Sequence, residues 1–343
     1  MHPLLRLAAL ALCFISTAHA DLDQDGNGLG DVWEAKYRPA ILLPDDDPDG
    51  DGRTNREESE AGTDPLSAED VFTVTALGLH GSELTVGWTS QVGKRYQLQT
   101  TSTPGNPGSW QPVPGHFLGN DGVVEITLPK PAAATAFFRV VAADVDTDGD
   151  GLTDWEELQA GFNPDANEVH ECHCGGSCSC GPGCTCGMDD RERMIHGLSQ
   201  MPRITLEAQD AESSEPISGP ATDTATFLIK RLHGIGRVVV NLSRSGTTSA
   251  EDVEMPASTV VLPLGSDQAA LVVKPTADTL VEGVETVVLE LAGGDYEIAA
   301  GSTATVLVHD AMQPNGTGLA ANYWKHPTTT SNSPYFLGAP VIS

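Results

Sequence analysis

The chain has 343 residues and a formal net charge of −30, from 18 Lys and Arg against 48 Asp and Glu. Such a balance repels nucleic acid and anionic membrane surfaces and attracts cations, so nucleic acid is excluded as a partner. The length fits two or three domains with connectors. Six of the seven cysteines crowd between Cys172 and Cys186, so none of them staples a β-domain.

Residues 1–20 read as a secretory signal peptide. Arg6 is the only charge, an apolar run from Leu7 to Ile15 follows, and Ala18-His19-Ala20 forms a small-x-small cleavage site. Asp21 would then begin the mature chain. No later stretch approaches the ~18 apolar residues of a membrane span. The expectation is a secreted or cell-surface protein without a membrane anchor of its own.

Three acidic segments share one template. In Asp23 to Glu34, Asp47 to Glu58 and Asp146 to Glu157, oxygen-bearing side chains fall at positions 1, 3, 5, 9 and 12. Glycine falls at position 6: Gly28, Gly52 and Gly151. A hard cation needs six to eight oxygens, alternating carboxylates on a tight turn supply them, and a glutamate at position 12 can bind through both oxygens. The candidate calcium ligands are therefore Asp23, Asp25, Asn27, Leu29, Asp31 and Glu34 in loop 1. They are Asp47, Asp49, Asp51, Arg53, Asn55 and Glu58 in loop 2, and Asp146, Asp148, Asp150, Leu152, Asp154 and Glu157 in loop 3. Leu29, Arg53 and Leu152 would contribute backbone carbonyls. Position 8 is Gly30, Thr54 or Thr153, where paired EF-hands carry an apolar residue, and an extra aspartate precedes each loop (Asp21, Asp45, Asp144). The loops resemble thrombospondin type 3 or dockerin-like calcium repeats more than paired EF-hands. Two such repeats span 21–67 and a third 144–169. Each runs into a short helix, and the second and third stop at Gly62 and Gly161 with Pro65 and Pro164 beyond.

Between repeats two and three, residues 68–143 switch to period 2. Leu84, Val86 and Trp88, then Tyr96 and Leu98, then Val124, Ile126 and Leu128, then Phe138 and Val140 alternate with polar neighbours. Turn clusters at 104–108 and 119–122 separate them. Short strands at this spacing predict a small β-sandwich. Together with Trp110 and Phe137 to Val140, the segment resembles the immunoglobulin- or fibronectin-like modules of secreted bacterial proteins, and its aromatics read as core.

Residues 170–190 read His170-Glu171-Cys172-His173-Cys174, then Cys178-Ser179-Cys180, then Cys184-Thr185-Cys186, with glycines between. Such a stretch folds only around the bonds its cysteines make. It resembles a metallothionein cluster, which implies Zn²⁺ or Cu⁺ on the six thiolates with His170 and His173 adding nitrogen. A disulfide knot is the open alternative, because export usually brings oxidising conditions.

Period 2 returns over 203–312, with strands expected at 204–207, 225–229, 238–242, 259–264, 270–273, 286–291 and 304–308. A second sandwich fits. Ile204 to Ala208, Ser214-Glu215-Pro216, Ala250-Glu251-Asp252, Asp278 to Thr286 and Val308-His309-Asp310 resemble a Calx-β domain across its whole length. The resemblance implies calcium roles for Glu215, Asp252, Asp278, Glu282, Glu285 and Asp310. Ala277-Asp278 replaces the family's Asp-Asp pair and Ala311 follows Asp310, so one calcium at most is expected, and a purely structural sandwich stays open. In the tail, 313–343, Asn315 to Trp324 resembles the opening of a protective-antigen-type barrel, which would break off inside that domain. A plain polar tail is the alternative.

The fold class expected is mainly β: two β-sandwich modules linked by EF-hand-like calcium loops with short helices. There is no nucleophile elbow, no His-Glu-x-x-His helix and no phosphate loop, and calcium accounts for the carboxylates. The expected function is a non-catalytic adhesion scaffold in which calcium is structural. Its partner would be an extracellular protein or a polysaccharide. The alternatives are the accessory region of a larger secreted enzyme and soft-metal capture by the cysteines.

Overall fold

The computed structural model describes residues 21–132, 135–171, 185–254, 256–277 and 283–311, with the backbone of Arg6–Ala9. A strand β1 (Arg6–Ala9) precedes two short helices, α1 (Asp31–Tyr37) and α2 (Asn55–Ala61). Next come β2 (Val74–His80), β3 (Glu83–Thr89), β4 (Lys94–Thr101), β5 (Gln111–Pro112), β6 (Phe117–Leu118), β7 (Val123–Pro129) and β8 (Thr135–Asp144). Helices α3 (Asp154–Ala160) and α4 (Asp190–Ser199) follow. The remaining strands are β9 (Arg203–Asp210), β10 (Glu212–Ser214), β11 (Ala225–His233), β12 (Val238–Gly246), β13 (Val253–Glu254), β14 (Thr259–Leu262), β15 (Gln268–Pro275), β16 (Val284–Leu291), β17 (Glu297–Ile298) and β18 (Thr303–His309). The chain is mainly β, as expected.

The first unit stacks the sheet β2–β3–β7 on a sheet in which β4 pairs with β8 and with the short β5 and β6. Alternation decides which side chains face inward. Leu84, Val86 and Trp88 meet Tyr96, Leu98, Phe138 and Val140 in one core. Trp88 lies edge-on to Phe117 with ring centroids 5.5 Å apart. Trp110 instead lies under Arg139, whose guanidinium is 4.4 Å from the ring centroid. Within the span read as a leader, the structure places Arg6–Ala9 as a strand parallel to Thr135–Phe138 of β8.

The second unit packs the sheet β10–β18–β16–β12–β14 against β13–β15–β11–β9–β17. Ile204, Phe227, Ile229, Val240, Leu289 and Val306 are among its buried inner faces. The seven strands expected from period 2 are all present. The short β10, β13 and β17 carry too few residues to show a period.

The repeats do not run in series as separate links. Loops 1 and 3 share one apolar cluster: Leu22, Leu29, Val32 and Trp33 meet Leu152, Trp155, Met194 of α4 and Leu264 of the second sandwich. Leu29 and Leu152 hold the same loop position, and burying each contributes about 1.5–3 kcal/mol. Loop 2 has Arg53 there, which pairs with Glu57 at 3.8 Å, so it stays outside this cluster. Trp33 Nε1 donates to Thr63 O at 2.8 Å, and the Arg237 N–H donates to Ala35 O at 2.9 Å. These bonds tie α1 to the end of α2 and to the second sandwich.

Helix α3 touches both sandwiches at glycines. A Cβ on Gly93 would lie 2.6 Å from the backbone of Trp155, and one on Gly265 would lie 2.5 Å from Ala160 O. Beside Gly93, the Lys94 side chain is fully buried. Its Nζ pairs with Asp144, lies 3.9 Å from Asp21 and sits 5.3 Å from the Trp155 ring centroid. Burial and two neighbouring acids act on this group in opposite directions: the acids hold Lys94 charged, while burial lifts Asp21 to about 7. No helix among the described residues is long and apolar enough to cross a membrane.

Candidate calcium centres

The three loops fold by one hydrogen-bond scheme. In loop 2 the position-1 carboxylate of Asp47 accepts from Gly50 N at 2.8 Å and Gly52 N at 3.0 Å. Asp146 does the same for Gly149 and Gly151 at 2.7 and 3.1 Å, and Asp23 for Gly26 and Gly28 at 2.8 and 2.9 Å. The turn takes position 6 to φ of +86, +92 and +93° at Gly28, Gly52 and Gly151, the left-handed region that favours glycine. A guanidinium covers this turn in two loops. Arg56 Nη1 donates to Gly28 O at 3.2 Å, and the Arg191 side chain lies over Gly151.

The carboxylates at positions 3 and 5 divide their oxygens. Asp49 Oδ1 accepts from Asp51 N, and Asp51 Oδ1 from Arg53 N. Asp148 and Asp150 repeat this in loop 3. The second oxygen of each, Asp49 Oδ2, Asp51 Oδ2, Asp148 Oδ2 and Asp150 Oδ2, is buried with no partner. Oxygens of Asp47, Asp49 and Asp51 lie within 4.8 Å of one another, as do those of Asp146, Asp148 and Asp150, and of Asp23, Asp25 and Asp31.

Position 12 is buried beside two of these clusters, and Glu157 lies within 4.8 Å of Asp150. Glu58 is 1% exposed and Glu157 0%. Glu58 Oε2 and both oxygens of Glu157 have no hydrogen-bond partner. Burial, then the charges of Asp49 and Asp51, lift Glu58 to about 8. Burial, then Asp148 and Asp150, lift Glu157 to about 8. Burying an unpaired carboxylate costs several kcal/mol by order of magnitude, and a divalent cation between these oxygens would offset it. The donor set is all oxygen, which suits Ca²⁺.

Loop 1 differs. Glu34 is half-buried, and its Oε1 accepts from Asn27 Nδ2 at 3.2 Å. Asp31, at position 9, accepts from Gln24 N and Nε2, while Asp154 accepts from Thr147 in loop 3. Asn55 at the same position of loop 2 is buried and donates to Leu43 O at 2.7 Å.

At the second sandwich, pairing of β10 with β18 and of β18 with β16 brings together the backbones carrying Glu215, Glu285 and Asp310. Glu215 N donates to His309 O at 2.9 Å, Asp310 N to Gly283 O at 3.3 Å, and Thr276 N to Asp252 O at 2.7 Å. Asp252 also accepts from Ser249 N. Asp278 and Glu282 lie outside the described residues. Among the described residues, no trio of acids gathers within metal-binding distance at this end.

Cys172, Cys174, Cys178, Cys180, Cys184 and His173 also lie outside the described residues, as does the tail. Cys186 is disulfide-bonded. His170 is exposed, and its N–H donates to Met188 O at 3.0 Å while its carbonyl accepts from Gly187 N at 2.9 Å. Sequence reasoning missed Asp190, whose carboxylate lies with those of Asp150 and Glu157. The available signal was Asp189-x-x-Glu192, a capping box that opens α4.

Among curated proteins, none matches this chain. Among solved structures, the apo form of the Calx CBD1 domain aligns at 14% identity over 33% of this chain and 100% of that one, with a TM-score of 0.27. The Calx CBD2 domain aligns at 11% identity over 32% and 88%, with a TM-score of 0.26. The multi-modular chitinase ChiW from Paenibacillus aligns at 10% identity over 63% and 26%, with a TM-score of 0.23. One family model matches inside the chain: that of the bacterial TSP3 repeat, over residues 47–68 and 146–164, which are loops 2 and 3 with their helices.

Proposed function

We propose that this is a non-catalytic, exported modular scaffold held in shape by structural calcium. The observation that carries the reading is the pair of buried glutamates. Glu58 and Glu157 are each buried beside a cluster of aspartate oxygens, and each keeps at least one oxygen without a hydrogen-bond partner. A calcium ion in each loop would offset two of its negative charges and fix where α2 and α3 leave their loops. Extracellular modules typically bind calcium at about 10⁻⁴–10⁻³ M, so the ion serves architecture and not signalling. The partner is an extracellular protein or a polysaccharide bound by the sandwich surfaces.

The test is differential scanning fluorimetry of the purified protein with and without calcium. We expect a higher melting temperature in ~10 mM calcium and a loss of most of that gain in the double variant Glu58→Gln, Glu157→Gln. No response of the wild-type protein to calcium at that concentration would sink the reading.

A further inference from the structure

Loops 2 and 3 both match the same repeat, yet loop 3 has an acid that loop 2 lacks. Asp190 is the first residue of α4 and is 1% exposed. One of its oxygens lies within 4.8 Å of ligand atoms of Asp150 and Glu157. Glu157, fully buried with both oxygens unpartnered, faces this same cluster. Asp190 is held there by three contacts. Arg193 Nη1 donates to its Oδ1 at 2.7 Å, Glu168 N to its Oδ2 at 2.8 Å, and its own N–H reaches Asn167 Oδ1 at 3.4 Å. Each carboxylate oxygen has two lone pairs, so one hydrogen bond apiece leaves room for a metal.

In sequence Asp190 follows the cysteine-rich segment. His170 exchanges backbone hydrogen bonds with Gly187 and Met188. We propose, on the calcium reading above, that Asp190 is a ligand of the loop 3 ion supplied from outside the repeat. This ion would then clasp α4 and the base of the cysteine-rich segment to loop 3. An added carboxylate favours calcium over magnesium, because magnesium keeps its waters and tolerates only octahedral crowding. The coupling is reciprocal: docking α4 tightens the ion, and the ion docks α4. Loop 2 has no such partner among the described residues.

Hydrogen–deuterium exchange with mass spectrometry, across a calcium titration of the full chain, reads each loop separately. In wild type we expect protection of residues 146–157 at a lower calcium concentration than residues 47–58. Residues 187–199 should gain protection together with loop 3. Asp190→Asn should raise the loop 3 midpoint on the order of tenfold and leave loop 2 unmoved, while α4 loses its calcium dependence. Arg193→Met breaks the same ion pair but keeps the ligand, so its loop 3 midpoint should stay or fall. If Asp190→Asn leaves loop 3 where it was, or Arg193→Met shifts it equally, the assignment of Asp190 fails while loop 2 still supports the calcium reading. If neither loop responds to calcium in wild type, both readings fall together.

Discussion

At the scale of single residues, Glu58 and Glu157 set a pH dependence whose sign depends on the ion. Without calcium both side chains titrate near 8 in the fold, against about 4.3 unfolded. Their contribution is complete at low pH and is lost as pH rises from about 4.3 through 8, because over that window the unfolded chain ionises first. Calcium-free protein should therefore melt at a higher temperature at pH 5 than at pH 8. Saturating calcium holds the carboxylates ionised and should reverse the order. Melting curves at both pH values, with chelator and with calcium, check this. The spacing of aspartates and glycines made the oxygen positions legible from the chain alone. It did not show that the position-12 glutamates of loops 2 and 3 are buried while Glu34 bonds to Asn27, because burial depends on what packs over each loop.

At the scale of elements, α2 and α3 open with the same capping box. Thr54 and Thr153 each accept from the backbone three residues on, and Glu57 and Glu156 reach back. Glu156 also accepts from Leu22 N at 2.7 Å, so the cap of α3 doubles as the anchor for the start of loop 1. Thr153→Ala should cost about 1–2 kcal/mol, read by urea denaturation. Thr54→Ala should cost less, because Thr54 is only half-buried. Lys94 is a heavier case. Replacing it with Met leaves the half-buried Asp144 and Asp21 without their cation and should cost about 3 kcal/mol, measured the same way. Nothing local marks Lys94. It follows a turn glycine in a polar stretch where lysine ordinarily faces water, and only the arrival of Asp21, Asp144 and Trp155 from elsewhere encloses it. Helix α4 escaped for a related reason: it is short and weakly patterned, with Met194 its only fully buried apolar side chain. The sandwich strands were legible because period 2 is a local property that packing rarely overrides.

At the scale of the whole molecule, the shared cluster makes the repeats a hub. Trp155 is buried among Trp33, Leu29 and Leu152, with Lys36 and Lys94 each 5.3 Å from its ring centroid. Trp155→Ala should cost about 3–5 kcal/mol. It should also split a single thermal transition into two, as each sandwich loses its common support; calorimetry would show one peak becoming two. The sequence suggested linkers because each loop, read alone, looks like a spacer between β modules. The apolar residues at position 7 of loops 1 and 3, against Arg53 in loop 2, were the hint that two of the three are turned toward each other.

Gly93 and Gly265 give this arrangement a longer reach. Each sits where another atom would strike the main chain of α3, one from either sandwich. A repeat wedged between two such contacts cannot be treated as a cassette to be duplicated, dropped or exchanged by recombination. Loop 2 itself lies outside the cluster, but its helix ends in the same way: a Cβ on Gly62 would lie 2.6 Å from Trp155 Nε1. If chains of this kind lengthen or shorten over evolutionary time, the third repeat should be inherited together with both of its neighbours.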